Sequence, residues 1–513
     1  MKKGVMALIL IPFLLFCALP VGAVEKEERK WQDETIYFLM VDRFNNGDFS
    51  NDLETNASDP KAYHGGDFQG IIDQLDYLKD MGFTAIWLTP IFENEAGGYH
   101  GYWINDFYKT EENFGSIETF KKLVKEAHKR DMKIILDFVV NHVGPNHPWV
   151  NDPDKQDWFH EQKEITNWEN QDELENGWIY NLPDLAQENP EARQYLLDAA
   201  KWWIEETDID GYRLDTVKHV PVDFWEDFAK EVKSAKEDFY LLGEVWTDDP
   251  AYIAQYEKAG IDGFVDYPLN GHLRTAFEKP GQPFDWLFAS WERNQAQYDQ
   301  PYLMGTFMDN HDTVRFTRDA VTNNEHPGPR WRLALTYLYT SPGIPIVYYG
   351  SEIALDGGED PDNRRQMDFR TDQELVEYIS NIGTLRQQLP SLTRGTMEPL
   401  YNKDGMAVYK RTYEDETTVV AINNTVKTQT VSLDSGLLEG DKQLKGLLGG
   451  DLVRSDEGKY KLIVDREEAE IYALSEKTGL NIPYLAVMGL VYAAFIVFII
   501  LLWRRSKKRK PVS

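Results

Sequence analysis

Cysteine is all but absent: the 513 residues hold one, Cys17. It sits in the apolar stretch at the start of the chain, so removal of that stretch leaves no thiol. Disulfides and cysteine-ligated metals are then excluded, and stability must come from packing or oxygen-bound ions. Basic charge is scarce too, with 54 Lys and Arg against 86 Asp and Glu, a net charge of −32. A surface that acidic repels phosphate backbones, which argues against nucleic acid as a partner and for a neutral or cationic ligand. The histidines show no HExxH or other zinc spacing, so a zinc hydrolase is disfavoured. There is no internal repeat and no long low-complexity linker. What remains is ordinary globular composition, 42% hydrophobic and 27% charged, which disfavours whole-chain disorder, collagen and a polytopic membrane protein. The length suggests two to four domains at roughly 150 residues each.

Two apolar runs mark the ends. Lys2 and Lys3 precede Val5 to Leu19, and Val21-Gly22-Ala23 supplies the small residues of a cleavage site; residues 1–23 read as a removed export signal, with an uncleaved anchor as the competing reading. Pro483 to Leu502 is 20 residues without a charge, enough at about 1.5 Å each to cross about 30 Å of hydrocarbon. Tyr484 and Trp503 flank it, and Arg504, Arg505, Lys507, Lys508, Arg509 and Lys510 follow. Such a cluster stays on the cytoplasmic side. The expectation is a transmembrane helix over 483–503, a basic cytoplasmic tail over 504–513, and a monomer anchored at the outer face of the cell membrane. Setting aside the eight bases at the two ends, the outward bulk carries about −40.

Between the ends, eight short apolar runs recur: Ile36 to Phe44, Ala85 to Phe92, Lys133 to Val140, Ile209 to Leu214, Tyr240 to Trp246, Gly263 to Tyr267, Tyr302 to Met308 and Ile344 to Tyr349. Helical patterns alternate with them, as in Ile117 to Lys129 with Phe120, Leu123, Val124 and Ala127, or Pro190 to Glu206 with proline in the first turn. That alternation predicts an α/β fold of the (β/α)8 TIM-barrel type in two parts, 24–140 and 189–392. The connection over 141–188 is too long for a simple loop and reads as an inserted domain. From 393 to 475 the pattern becomes strand-like, with runs at Met406 to Thr412, Thr417 to Asn423 and Ala469 to Leu474, and predicts an all-β sandwich domain.

Strand ends of such a barrel converge on one mouth, and four of them are strongly ionisable. They read Asp137-Phe-Val-Val-Asn141-His142, Gly211-Tyr-Arg213-Leu-Asp215-Thr-Val-Lys218-His219, Gly243-Glu244-Val-Trp246 and Phe307-Met-Asp309-Asn310-His311-Asp312. One acid at a strand end commonly caps a helix or pairs with an arginine. Four such ends on one rim gather carboxylates, imidazoles and a guanidinium, the groups needed for general acid, nucleophile and transition-state clamp in glycosidic cleavage.

In the order and spacing of these motifs the sequence resembles the α-amylase family, glycoside hydrolase family 13, from about Thr35 to Leu474. Leu182-Pro-Asp184-Leu185 is similar to the family's fifth region, and Tyr99-His100-Gly101-Tyr102-Trp103 to its sugar-stacking stretch. The resemblance implies Asp215 as nucleophile, Glu244 as general acid/base and Asp312 as the third carboxylate that holds the distorted sugar. Arg213, two residues before Asp215, points to the same side of the strand and is expected to keep that carboxylate ionised. Glu244 must start protonated, so its pKa is expected to be raised. His142 and His311 resemble sugar-binding histidines, Tyr102 a stacking floor with His100 and Trp103 beside it, and Lys218 and His219 residues of the leaving-group side. Asp360 and Arg364 resemble a further substrate-contacting pair, a surface ion pair being the alternative.

The resemblance also implies a Ca2+ cofactor. Asn141, Asp184 and the main-chain carbonyl of His219 are similar to one calcium site, with Asp172 an unsettled fourth ligand; Asn46, Asp48, Asn51, Asp52, Gly65 and Asp67 are similar to a second, an Asx-rich turn being the alternative. The expected function is a retaining, endo-acting α-amylase cleaving α-1,4 bonds of starch, maltodextrin or related glucans at the cell surface. The alternatives are a cyclodextrin-degrading or maltogenic hydrolase or α-glucan transferase of the same family, and a non-catalytic membrane-anchored scaffold.

Overall fold

A computed structural model describes residues 28–371, 373–438, 440, 442–477 and 482–507. The export signal expected over 1–23, with Cys17, and the last bases of the tail, Lys508 to Lys510, lie outside the described residues. The chain divides into one compact unit that runs to Lys279 and resumes over Asp285–Gly395, and a second formed by Pro280–Phe284 and the chain from Thr396 onward.

The first unit is built on eight strands: β1 (Ile36–Leu39), β2 (Ala85–Leu88), β3 (Lys133–Phe138), β4 (Gly211–Leu214), β5 (Tyr240–Gly243), β6 (Gly263–Phe264), β7 (Gly305–Phe307) and β8 (Ile344–Tyr348). Their order in the sheet is β6-β5-β4-β3-β2-β1-β8-β7. All adjacent pairs are parallel, and a parallel bridge from Val265 to Gly305 joins the two ends. The barrel is therefore closed. Its strands are apolar runs because both faces are covered, side chains on one and helices on the other.

Each strand is shorter than its apolar run. The run from Ile36 to Phe44 pairs only over Ile36–Leu39 and then turns into a helix, Val41–Phe44. Tyr302 to Met308 pairs only over Gly305–Phe307, after a 3₁₀ turn at Pro301–Leu303. Met40, Val41 and Phe44 of the first run and Met304 and Met308 of the second leave the ladder and still end buried, while Tyr302 and Leu303 are half-buried. Of the outer helices, Ile117–Lys129 buries Phe120, Leu123, Val124 and Ala127, a stripe of helical period, behind Ser116, whose hydroxyl accepts from the Thr119 amide. Pro190–Thr207 is capped by Asn189 and stops at Asp208 in the left-handed region.

Residues 141–188 carry short helices and isolated bridges, His142 to Asp184, Phe159 to Leu185 and Glu164 to Trp178. Their own small core is Ile165, Leu174 and Ile179.

Among the described residues the second unit holds eight strands: β9 (Thr396–Lys403), β10 (Met406–Tyr413), β11 (Glu416–Asn423), β12 (Gln429–Asp434), β13 (Lys442–Gly446), β14 (Leu452–Arg454), β15 (Lys459–Val464) and β16 (Glu468–Glu476). Six form one antiparallel sheet, β9-β10-β11-β16-β13-β14, and β12 pairs with β15. The two sheets share one core, with Val408, Val419 and Tyr472 from the first and Val431, Leu433 and Leu462 from the second.

The expected membrane span falls on a helix, Ile482–Lys507. Its described side chains, Leu490, Phe495 and Ile499 among them, are exposed. Among the described residues no helix is long and apolar enough to cross a membrane: the run with continuously described side chains, 489–501, is shorter than the roughly 20 residues a crossing needs.

Candidate active site

The floor of the mouth is a row of side chains from four neighbouring strands. Phe38 on β1 stacks on Trp87 on β2, ring centroids 3.7 Å apart. The Trp87 indole N–H donates to Asp137 on β3 at 3.3 Å, and Asp137 lies opposite Arg213 on β4. Arg213 is 1% exposed, with its guanidinium 5.3 Å from the Trp87 ring centroid.

Three carboxyls of the mouth converge on that guanidinium. Its Nη1 donates to both oxygens of Asp137 at 2.9 Å and to Asp215 Oδ1 at 2.7 Å, while Nη2 lies 2.6 Å from Glu244 Oε1. Residues two apart on an extended chain face one way, which is how Arg213 and Asp215 meet. Glu244 arrives from the end of the adjacent strand, β5, and also accepts from the Tyr267 hydroxyl at 3.1 Å. Thr216 ties the two acids together: its amide donates to Glu244 Oε2 and its hydroxyl to Asp215 Oδ2, each at 3.1 Å. It does so at φ 46, costly for a β-branched residue and the kind of strain found at functional sites.

Asp312 is held from the other side of the rim. Arg364 Nη2 donates to its Oδ1 at 3.3 Å and Arg364 Nε to the His311 carbonyl at 2.9 Å, and Arg364 also pairs with Asp360 at 3.1 Å. Since Arg364 is buried, the 360/364 pair is no isolated surface ion pair. It braces Asp312.

Burial raises Asp137, Asp215, Glu244 and Asp312 above the ordinary carboxylate range, and Arg213 pulls each of them back. For Glu244 the negative charges of Asp215 and Asp312 add to the rise, which agrees with the sequence expectation. For Asp215 the sequence spacing alone predicts an ionised group steadied by Arg213; the contact is there, but the guanidinium is shared three ways and burial outweighs it, so the direction is upward.

Tyr102 reaches the floor because Gly101, at φ 92, makes a turn where a Cβ would sit 2.2 Å from the Pro90 carbonyl. The Tyr102 hydroxyl donates to Asp137 at 2.8 Å and lies 2.7 Å from His311 Nε2, and its ring stacks on His311. His100 stands edge-on to Trp103. His142 is 4% exposed, its Nε2 has no partner, and burial brings its pKa down to about 4; His311 Nδ1 is likewise unpartnered. Burial disfavours the charged form of both imidazoles, and each keeps one buried ring nitrogen without a partner. Lys218 donates to the Trp246 carbonyl at 2.8 Å. His219 is spent inward, Nδ1 on the Leu174 carbonyl at 3.1 Å, so its imidazole braces the inserted segment.

The candidate calcium ligands can be tested by what they leave unsatisfied. Asn141 Oδ1 and Asp184 Oδ1 are buried oxygens without a partner, brought side by side by the bridge between His142 and Asp184. The other oxygen of Asp184 lies 2.6 Å from His160 Nδ1. Asp172 is exposed and bonded within its own helix. In the second cluster Asn46 Oδ1 and Asn51 Oδ1 are also buried and unpartnered. Asn46 donates to Asp52 at 2.9 Å, and Gly65, at φ 90, leaves space that a Cβ would fill 2.6 Å from both. Asp67 is spent on the Gly47, Asp48 and Gly70 amides, and Asp48 on Ser50. Among the described residues no group of three or more His, Cys, Asp or Glu could hold a metal, so both candidates depend on amide and main-chain oxygens, the donors a hard cation accepts.

Sequence reasoning gave no role to Asp137, Thr216, Tyr267 or His160. Tyr267 was the most findable, since it ends the sixth apolar run just as the assigned acids end theirs. Trp246, 49% exposed and stacked on Tyr267 at 4.9 Å, belongs to the same rim.

Paired, buried carboxyls on one guanidinium at the C-terminal mouth of a (β/α)8 barrel, with exposed aromatic rings beside them, are the equipment of a glycoside hydrolase. Residues 38–389 match the family described as alpha amylase, catalytic domain, and residues 395–472 the alpha-amylase C-terminal domain. The chain belongs to the α-amylase family of glycoside hydrolases. It is 36% identical over 459 residues to a beta/alpha-amylase of Paenibacillus polymyxa, covering 86% of this chain but only 38% of that one. It is 32% identical over 500 residues to a cyclomaltodextrin glucanotransferase of Klebsiella oxytoca, covering 82% and 76% respectively. The crystal structure of an Anoxybacillus α-amylase matches with a TM-score of 0.87 at 68% identity, over 88% of this chain and 100% of that one.

Proposed function

We propose that this chain is a retaining, endo-acting α-amylase that hydrolyses α-1,4-glucosidic bonds of starch or maltodextrin at the outer face of a cell membrane. The observation that carries the mechanism is Arg213 bonded at once to Asp215 and Glu244, which holds nucleophile and proton donor together. A retaining pair stands about 5–5.5 Å apart. One guanidinium among three buried carboxyls leaves the cluster holding a proton, and on Glu244 that proton faces the glycosidic oxygen. Asp215 attacks the anomeric carbon while Glu244 protonates the departing oxygen, so the C–O bond breaks and a glycosyl ester forms. Glu244, now a carboxylate, takes a proton from water, whose oxygen displaces Asp215 and regenerates both groups. Asp312, braced by Arg364, and the free ring nitrogens of His142 and His311 take hydroxyls of the distorted sugar.

Asn141, Asp184 and the His219 carbonyl would hold one calcium ion, and Asn46, Asn51, Asp52 and Gly65 a second. Bound at the first site, the ion supplies positive charge that fixes the inserted segment to the barrel beside His142. The membrane location rests on the sequence alone, on the uncharged run Pro483 to Leu502 and the bases that follow it, and would leave the acidic bulk outside.

Transfer to a sugar hydroxyl, or action on cyclic glucans, is the second reading. The Klebsiella oxytoca relative favours it, as does the exposed Trp246 on the leaving-group side, a surface on which a second sugar can rest. A fluorinated glycosyl donor should label the peptide containing Asp215, with retained product stereochemistry by NMR. Label elsewhere or inverted product would overturn the mechanism. On starch, pullulan and cyclodextrins, linear maltooligosaccharides should dominate; mainly cyclic products or panose would favour the second reading.

A further inference from the structure

We propose that Trp286, lying on His272, is a binding platform for an α-glucan chain outside the barrel mouth, separate from the residues around Asp215 and Glu244. It rests on the α-glucan reading above. Trp286 is 64% exposed, an expensive place for an indole unless it has a use. The ring is held flat: the His272 imidazole lies parallel to it, centroids 5.4 Å apart and planes 15° apart. With one face covered and the other open, the indole is set before any ligand arrives, which lowers the ordering cost of binding.

The arrangement repeats one at the mouth. Trp246 lies on Tyr267 with centroids 4.9 Å apart and planes at 11°. A single helix, Tyr267–Phe277, supplies the ring underneath in both pairs. Five residues separate Tyr267 from His272, about 7.5 Å of helix rise and about 1.4 turns, so the second platform stands on a different face of the helix from the first. Asp248, two residues beyond Trp246, is close enough to act on His272, which makes the two platforms neighbours along the rim.

The polar surroundings suit an uncharged polyol. Arg293 stands seven residues after Trp286 on the helix Asp285–Gln297, on the same face, and its Nε and Nη2 have no hydrogen-bond partner. Burial, then the charge of Arg293, holds His272 below its ordinary pKa against the pull of Asp248, so the platform carries no net charge of its own at neutral pH. A pyranose offers what such a site takes: a C–H face for the open side of the indole.

The test uses the full chain carrying Glu244→Gln, so that bound glucan is not consumed, with and without Trp286→Ala. Amylose titrated by tryptophan fluorescence and calorimetry should bind about three- to tenfold more weakly without the indole. In the otherwise wild-type chain the ratio of kcat/KM on amylose to that on maltotriose should fall by the same factor, and Trp286→Tyr should restore most of it. Unchanged affinity and an unchanged ratio would overturn the proposal. So would a sedimentation shift showing that Trp286 seats a second copy of this chain. If no variant, wild type included, binds or cleaves any glucan, the underlying reading fails instead.

Discussion

Both units bury polar side chains, but they treat them differently. In the C-terminal unit Asn423 donates to three carbonyls, Lys427, Val464 and Asp465, and Glu470 accepts from four amides, Leu447, Leu448, Gly449 and Ile471. Apart from the Thr425 hydroxyl on Asn423 their partners are backbone, and the bonds close a loop or a corner. At the barrel mouth buried side chains face one another, Asp137, Asp215 and Glu244 on Arg213, and several atoms there have no partner: His142 Nε2, His311 Nδ1, Asn141 Oδ1 and Asp184 Oδ1. A buried polar group satisfied by backbone is part of the scaffold. One left open is a cost that persists only where something else completes it.

The sharpest test of that contrast is at the mouth. Glu244→Gln should cost about 10²- to 10⁴-fold in kcat with the fold retained by circular dichroism, although its single amide oxygen can keep only one of the two donors, Thr216 or Tyr267, that now serve separate carboxylate oxygens. Full activity would place the proton donor elsewhere. Next in size is the calcium expectation. Chelation should lower melting temperature and activity together, by about 2.7 kcal/mol if the ion is present at 100 times its Kd, and Asp184→Asn should weaken the response. A chelator without effect would mean that the open oxygens of Asn141 and Asp184 are not cation ligands.

On the scaffold side, Asn423→Ala strips three carbonyls of their donor and should cost about 1–3 kcal/mol of stability, leaving kcat on starch unaltered. A loss of kcat without a loss of stability would erase the distinction between the units. The smallest effect concerns His147, which caps the turn at Pro148. Burial brings it down to about 4 from 6.5, so between those values the unfolded chain binds the extra proton. Its contribution is fully present above pH 6.5 and is lost as pH falls toward 4, with a slope of at most about 1.4 kcal/mol per pH unit. His147→Asn keeps the cap and should flatten that slope in urea titrations; an unchanged slope would assign it to other groups.

The barrel was legible because its strands are buried on both faces and read as continuous apolar runs. The C-terminal sheets were legible only in part. β10 and β11 are mostly buried and stood out, whereas β15, Lys459–Val464, alternates exposed and buried residues, and its lysines dilute the signal that marks a strand. The motifs that hold Asp215, Glu244 and Asp312 could be picked out because they lie at or near the ends of runs, the resemblance to the α-amylase family then singled out these three acids, and Arg213 stood out because it lies two residues from Asp215. Thr216 could not, since nothing local announces a left-handed threonine. Nor could His160, whose partners Asp184 and Glu188 lie 24 and 28 residues away.

The order of apolar runs and the ionisable residues at their ends were enough to determine the barrel and the acids at its mouth, because strand period and strand end are local properties of a chain. Which guanidinium each acid touches, how far burial moves its proton affinity, and which oxygens stay open for a cation depended on strands brought side by side from distant parts of the sequence. Those are properties of distance and dielectric, and closure of the barrel creates both.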